Sequence, residues 1–267
     1  MSNIAEQFKK YFPAWAKVIT LRPFQEQAIQ NVLDHGDTLC IMPTGSGKSL
    51  VYYLSGLMSG GITIVISPLI ALIDEQAQKL QEQGIEVLAL HGGVAAEKQM
   101  NLLKQFAQKK INPKFIFSSP EKLATDGFFE HCIKCRKDEI KLITLDEVHC
   151  VSQWGMQFRP FYAEIPNFIA SVFGENWPNI LALTATLNPR ELADIVAAFR
   201  ISSTNVLKYP QLVRSEISLK VIKCINEEEK EKKLWDLLEI HKNEKTLVYV
   251  YRVKNGRSVE DFSQRAN

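Results

Sequence analysis

From about residue 20 to residue 208, short continuous apolar runs alternate with longer stretches whose apolar positions recur every three to four residues. The first pattern reads as strands buried on both faces, the second as helices lying across them. The predicted strands are "DTLCIM" (37–42), "ITIVIS" (62–67), "IEVLAL" (85–90), "KFIFSS" (114–119), "EIKLITLD" (139–146) and "NILALTA" (179–185). A glycine turn after the first leads into the helical "LVYYLSGLM". The segment "LIALIDEQAQKLQEQ" turns Leu69, Leu72, Ile73, Gln76 and Leu80 to one side before Gly84 ends it. Asn188 caps "PRELADIVAAF" (189–199), with Pro189 at the first helical position. Such alternation predicts an α/β fold with a parallel sheet covered by helices on both faces.

After Val206 the texture changes. "ISLKVIKC" (217–224) and "TLVYVY" (246–251) read as strands. Between them "EEEKEKKLWDLLEIHK" (227–242) reads as a helix, with Glu228/Lys232 and Glu229/Lys233 pairs outside and Leu234, Leu237 and Leu238 facing inward. The expected organisation is a first lobe over 1–208, a linker and first strand region over 209–226, and the start of an incomplete second α/β lobe over 227–267. About forty residues are too few to bury an independent core.

Composition narrows the partners. With 46% hydrophobic and 23% charged residues in 267, the chain is globular in character. A net charge of +2 supplies no bulk positive field, so any nucleic-acid contact must come from a local groove. Five cysteines, an odd number without framework spacing, fit reduced thiols. Without a leader or an eighteen-residue apolar run, the expectation is a cytoplasmic protein that makes no membrane contact.

Chemistry concentrates at two strand ends. "MPTGSGKS" (42–49) sits between a strand and a helix, where backbone N–H groups of Thr44, Gly45, Ser46 and Gly47 can converge on phosphate oxygens. Lys48 can reach the β and γ phosphates of ATP, and Ser49 can hold Mg2+ through its hydroxyl. The strict phosphate-loop pattern would place Gly where Met42 stands. Asp146 and Glu147 end the fifth strand, suited to the magnesium shell and to orienting water respectively. By itself such an acidic pair could simply mark a strand end. A few residues later "VSQWGMQFRPFY" (151–162) brings aromatic rings and an arginine together, the residue types that stack on single-stranded nucleic acid. Any one of these rings taken singly could equally be a core residue.

With "PTGSGKS" and "DEVH" in one chain, the sequence resembles superfamily 2 helicases, and the flanking residues resemble the RecQ family of DNA helicases. "LRPFQEQAI" is similar to that family's adenine-reading segment, with Arg22, Pro23 and Gln25 at its core. "VISPLIALIDEQ" resembles motif Ia, which implies DNA contacts near Ser67 and Pro68; "FSSPEKL" resembles motif Ib and "ALTAT" motif III. "DEVHCVSQWGMQFRPFY" resembles the aromatic-rich loop, which implies strand contacts from Trp154, Phe158 and Arg159. Met42 is the residue that family tends to carry. His149 would link to Thr184 and Thr186. Met156 and Gln157 depart from the family's His-Asp, and Phe161 from its Glu. The resemblance implies a P-loop, RecA-like fold and ATP-dependent 3′-to-5′ unwinding of single-stranded and partly duplex DNA in recombination and repair. It also implies a second lobe with arginine fingers, whose motifs the sequence does not show. The chain alone is therefore expected to bind ATP, hydrolyse it slowly and not unwind. An alternative is a nucleotide-gated module for single strands that needs a separate chain to supply the other lobe.

Weaker signals are few. Cys132 and Cys135 form a C-x-x-C without a second pair. His91, Gly92 and Gly93 form either a strand-contacting loop or a plain turn. Lys109, Lys110 and Lys114 read as a solvated face.

Overall fold

Seven strands among the described residues form one sheet in which every neighbouring pair runs parallel. They are β1 (Thr38–Ile41), β2 (Ile62–Ile66), β3 (Val87–Leu90), β4 (Phe115–Ser118), β5 (Ile140–Leu145), β6 (Asn179–Thr184) and β7 (Val206–Lys208), in the order β3-β4-β2-β5-β6-β1-β7. The computed structural model describes residues 3–151, 160–210 and 217–249. Contacts divide the chain into two compact units, Met1–Val213 and Arg214–Asn267.

The six expected strands are present, each trimmed by a residue or two at its ends. β7 lies outside the expectation. It has three residues, paired with β1 from Leu39↔Val206 to Ile41↔Lys208, and three residues are too few to show a period.

Side chains alternate across the sheet as a doubly covered strand requires. On one face lie Leu39, Ile64, Ile66, Ile116, Ile143 and Leu145; on the other lie Cys40, Val65, Phe115, Phe117, Leu142 and Leu181. The second face is covered by α1 (Ile4–Tyr11), α2 (Pro23–His35), α3 (Lys48–Met58) and α4 (Ile70–Gln81) through residues such as Phe8, Ile29, Tyr53 and Leu80. The first is covered by α5 (Ala96–Ala107), α7 (Gly127–Lys134), α8 (Ile165–Phe173) and α9 (Pro189–Ala198), with the short α6 (Pro120–Thr125) between α5 and α7. Leu69 corrects the expected inner face of α4. It is 44% exposed because it is the N-cap, with extended backbone, and so does not follow the helical repeat.

Asn188 caps α9 as read from the sequence: its Oδ1 accepts the Glu191 N–H at 2.9 Å, and the Glu191 carboxylate accepts the Asn188 N–H at 2.9 Å. Asn188→Ala leaves two helix-end donors without their partners and is expected to cost about 1 kcal/mol. A melting midpoint lowered by about 2–4 °C checks it.

In the second unit the described residues hold one helix, α10 (Glu227–Ile240), capped by the Asn226 side chain. The strands expected at 217–224 and over the described part of 246–251 are not formed. Leu219 and Val221 are 76% and 92% exposed, and among the described residues the run has no neighbouring strand to pair with. Nor does α10 bury its leucines. Its ion pairs are Glu227–Lys230 and Glu239–Lys242 in place of the expected ones, while Glu229 accepts the Ile225 N–H. No helix among the described residues is long and apolar enough to cross a membrane.

Candidate active site

Parallel strands deliver their carboxyl ends to one edge of the sheet, the usual place for a ligand. Here the neighbours β2, β5, β6 and β1 deliver Ser67, Asp146, Thr184 and the loop that begins at Met42. Met42 is fully buried, and its N–H is tied to Thr184 O at 2.8 Å, so the loop starts from a fixed point.

Two glycines shape that loop. Gly45 and Gly47 have φ of 77° and 83°, the left-handed region in which L side chains are strained. Gly47 is also the N-cap of α3, whose first amides have no acceptor within the helix. Ser46 Oγ is buried without a partner. An orphaned hydroxyl beside unpaired amides and a lysine is a cradle for an anion, and in this respect the loop fits a nucleotide's phosphates.

Gln25 braces the loop from outside. Its Nε2 donates to Ser46 O at 3.0 Å and Gly47 O at 3.1 Å, its Oε1 accepts the Arg22 N–H at 2.8 Å, and Arg22 Nη1 donates to Gly45 O at 3.3 Å. Both Nε2 protons are therefore used on the loop itself, so a base reached by Gln25 in this state would meet only the remaining lone pair of Oε1. A Cβ on Gly47 would lie 2.3 Å from Gln25 Nε2. Gly47→Ala is thus expected to displace Gln25 and to strain the backbone by about 1–3 kcal/mol. Nucleotide affinity should fall at least tenfold, measured by fluorescent-nucleotide titration.

Opposite the loop, Lys48 Nζ lies 2.9 Å from Glu147 Oε1. Successive residues of a strand point to opposite faces, yet Asp146 and Glu147 both serve this site. The reason is local: Glu147 takes φ 51°, and this left-handed step, costing about 1 kcal/mol, swings its carboxylate back beside its neighbour. Burial and the adjacent Glu147 charge push Asp146 above its usual range, against the opposing pull of the Lys48 charge and the Ser67 hydrogen bond. Burial also works against ionised Glu147, but hydrogen bonds from His149 and Lys48 outweigh it and hold the carboxyl down to about 2.

His149 Nδ1 lies 3.3 Å from Glu147 Oε2 and 3.1 Å from Thr184 Oγ1, and Thr184 Oγ1 donates to Thr186 O at 3.2 Å. The Cys150 thiol, 3.8 Å from Nε2, and the Glu147 carboxylate push His149 up to about 10. As an imidazolium it donates toward both Glu147 and Thr184, so the acid pair and the segment after β6 are joined through one ring.

A family model described as DEAD/DEAH box helicase matches residues 22–195, from the Arg22 brace to α9. The chain belongs to that family. Among curated relatives of this DEAD/DEAH box chain, the ATP-dependent DNA helicase RecQ of Bacillus subtilis is 34% identical over 248 residues, covering 91% of this chain and 40% of the relative. RecQ of Haemophilus influenzae is 36% identical over 192 residues, covering 71% and 29%. The ATP-dependent DNA helicase Q-like 4B of Arabidopsis thaliana is 34% identical over 219 residues, covering 79% and 18%. The chain thus spans less than half the length of each. Among solved structures, a hypothetical ATP-dependent RNA helicase from Sulfolobus tokodaii superposes with a TM-score of 0.59 at 21% identity, covering 78% of this chain and 57% of that one. The helicase MrfA, bound to DNA and AMPPNP, gives 0.58 at 19% identity, covering 79% and 29%. These likenesses show the RecA-like helicase fold.

Of the residues read from sequence in this DEAD/DEAH box chain, the structure brings together Arg22, Gln25, the loop 44–47, Lys48, Ser49, Asp146, Glu147, His149 and Thr184, with Thr186 reached through its backbone. Ser67 is 4% exposed, and its hydroxyl donates to Asp146 Oδ2 at 3.3 Å, so its side chain supports the acid pair. Its neighbour Pro68 is buried too. Trp154, Phe158 and Arg159 lie outside the described residues. The structure adds Tyr162, a fully buried ring whose hydroxyl donates to Asp146 O; "FRPFY" announces an aromatic there without its partner. His91 opens the expected turn, its carbonyl accepting the Val94 N–H at 3.0 Å; its side chain is 2% exposed, with Nε2 2.8 Å from Asp74 Oδ1 and Nδ1 accepting the Gly93 N–H. Cys132 is buried and Cys135 exposed, and no group of three metal-ligating side chains occurs among the described residues. Lys109 pairs with Glu139 at 2.9 Å, in keeping with a solvated face.

Proposed function

We propose that this chain forms the nucleotide-binding lobe of a RecQ-type ATP-dependent DNA helicase, coupling Mg-ATP hydrolysis to 3′-to-5′ movement along DNA in recombination and repair. Support comes above all from the Lys48–Glu147 contact of 2.9 Å across the phosphate loop, which puts an anion-binding cation and a water-orienting carboxylate within one bond of each other. The names of its relatives, DNA helicases at 34–36% identity, support DNA as the strand.

In this reading Lys48 and the loop amides bind the β and γ phosphates. Ser49 and Asp146 would hold the magnesium, which would supply positive charge against the transferring group. One carboxylate and one hydroxyl would give the hard oxygen ligands that magnesium favours. Glu147 orients water once Lys48 turns to the phosphates, and His149 reports that change to Thr184. The aromatic segment with Trp154, Phe158 and Arg159 takes the single strand, and a second RecA-like lobe, in a partner chain or in more of the same polypeptide, completes the site. The working location is the cytoplasm.

Magnesium-dependent binding and hydrolysis of ATP, with and without single-stranded DNA, test the reading. ATP should bind, turnover should be slow, and a single strand should alter affinity or rate. A chain that ignores ATP in the presence of magnesium would sink it. Efficient strand separation by this chain alone would remove the second lobe from the scheme.

A further inference from the structure

We propose that Tyr162 is a positioning residue for Glu147: its hydroxyl holds the Asp146 carbonyl and so fixes the peptide plane that gives Glu147 its left-handed step. The proposal rests on the reading of Glu147 as the carboxylate that orients water.

At φ 51° Glu147 occupies a conformation that L residues avoid, so something has to select it. The peptide between Asp146 and Glu147 turns as one rigid plane. Its carbonyl cannot turn over without carrying φ of Glu147 from positive to negative, the relation that separates type II from type I turns. The direction of the Asp146 carbonyl therefore decides the backbone of Glu147. That carbonyl accepts the Tyr162 hydroxyl, and the N–H of the same plane, which belongs to Glu147, donates to Asp146 Oδ1 at 3.1 Å. The planes on either side are held by backbone alone: the Asp146 N–H donates to Ile66 O at 2.9 Å, and Glu147 O accepts the Cys150 N–H at 3.0 Å. The plane between them is set by side chains.

Of its two side-chain ties, only the tyrosine's comes from outside the turn. Asp146 Oδ1 moves with the backbone that it would have to orient. Tyr162 stands instead in the short helical turn Pro160–Glu164, its ring fully buried in the apolar cluster that holds Leu145, Val148 and Ile165. The hydroxyl is thus presented from a fixed point of the core. What it secures is the reach of Glu147, whose Oε1 lies 2.9 Å from Lys48 Nζ and whose Oε2 lies 3.3 Å from His149 Nδ1. Once the carbonyl is released, the plane is free to turn over, Glu147 relaxes to an ordinary φ, and its carboxylate leaves Lys48. Tyr162 acts on the reaction without touching the nucleotide.

The test compares Tyr162→Phe with Glu147→Gln in the full chain, by fluorescent-nucleotide titration and single-turnover hydrolysis. Tyr162→Phe should lower turnover about a hundredfold while nucleotide affinity is kept or raised, because Lys48 loses its carboxylate. Added to Glu147→Gln, it should lower turnover no further, since both act through one side chain. Replacement of Tyr162 by para-aminophenylalanine, which keeps a donor on a ring of the same shape, should restore turnover. A crystal structure of Tyr162→Phe should show Glu147 at negative φ and the Lys48–Glu147 contact broken, a readout that needs no turnover. Full turnover in Tyr162→Phe, losses that add in the double variant, or an unmoved Glu147 in that structure overturns the proposal. A folded para-aminophenylalanine variant that behaves like Glu147→Gln overturns it even where Tyr162→Phe fails to fold. Unimpaired turnover in Glu147→Gln would instead sink the underlying reading of Glu147.

Discussion

Replacing Glu147 by glutamine is expected to cut ATP turnover by about a hundred- to ten-thousandfold while leaving nucleotide affinity intact or improved. The amide keeps the shape of the side chain and can still hold a water, but it cannot act as a base and take the water's proton. It also releases Lys48, whose one ion pair among the described residues is to Glu147, 2.9 Å away. A lysine without that partner is freer to meet phosphate, so binding and turnover should move in opposite directions. Single-turnover hydrolysis beside equilibrium nucleotide binding separates the two. Parallel loss of both would show that Glu147 holds the loop together and does no chemistry.

Lys48→Ala should behave in the opposite sense. Nucleotide affinity and turnover should both fall, turnover by at least about a hundredfold, because a charged donor aimed at the transferring group is removed from a water-poor site. The substitution also has a signature in pH. Glu147 is held down to about 2 against an ordinary 4.5, so its ionised pairing adds stability that is fully present above 4.5 and is lost as pH falls through 2. Without Lys48 only His149 remains to hold the proton off, and the loss should begin at higher pH. Thermal melts of both proteins between pH 2 and 5 check this. Coincident profiles would show that His149 alone sets the acidity of Glu147.

Most of the sheet was legible because its strands are buried on both faces, and unbroken apolar runs such as "ITIVIS" carry that signal in sequence. The Asn188 cap was legible for a similar reason, since its partner lies three residues away. Local chemistry also revealed the phosphate loop and the acid pair. What stayed hidden depends on contacts distant in sequence. Ser67 on Asp146, Tyr162 on the Asp146 carbonyl, and Tyr52 on Gln76 join residues of different elements. No periodicity marks which hydroxyl meets which acceptor. The misreading at 217–224 has the reverse cause: Ile217, Leu219 and Val221 have strand-like pattern, but a strand is completed only by a neighbour, and there is none among the described residues. Leu69 was misplaced because a helical repeat was carried one residue past the point where the helix begins.

The closed Lys48–Glu147 pair bears on which anions this loop can admit. With its lysine already neutralised, the cradle offers a small anion only backbone amides and an orphaned serine hydroxyl. A chloride or a lone orthophosphate has to compete with a carboxylate already in place at hydrogen-bond distance. A polyphosphate brings several charges and occupies the amides first, so it can compete for the lysine from an anchored position. In the proposed function the ion pair thus sets a threshold on ligand charge, favouring a phosphate chain over a single phosphate.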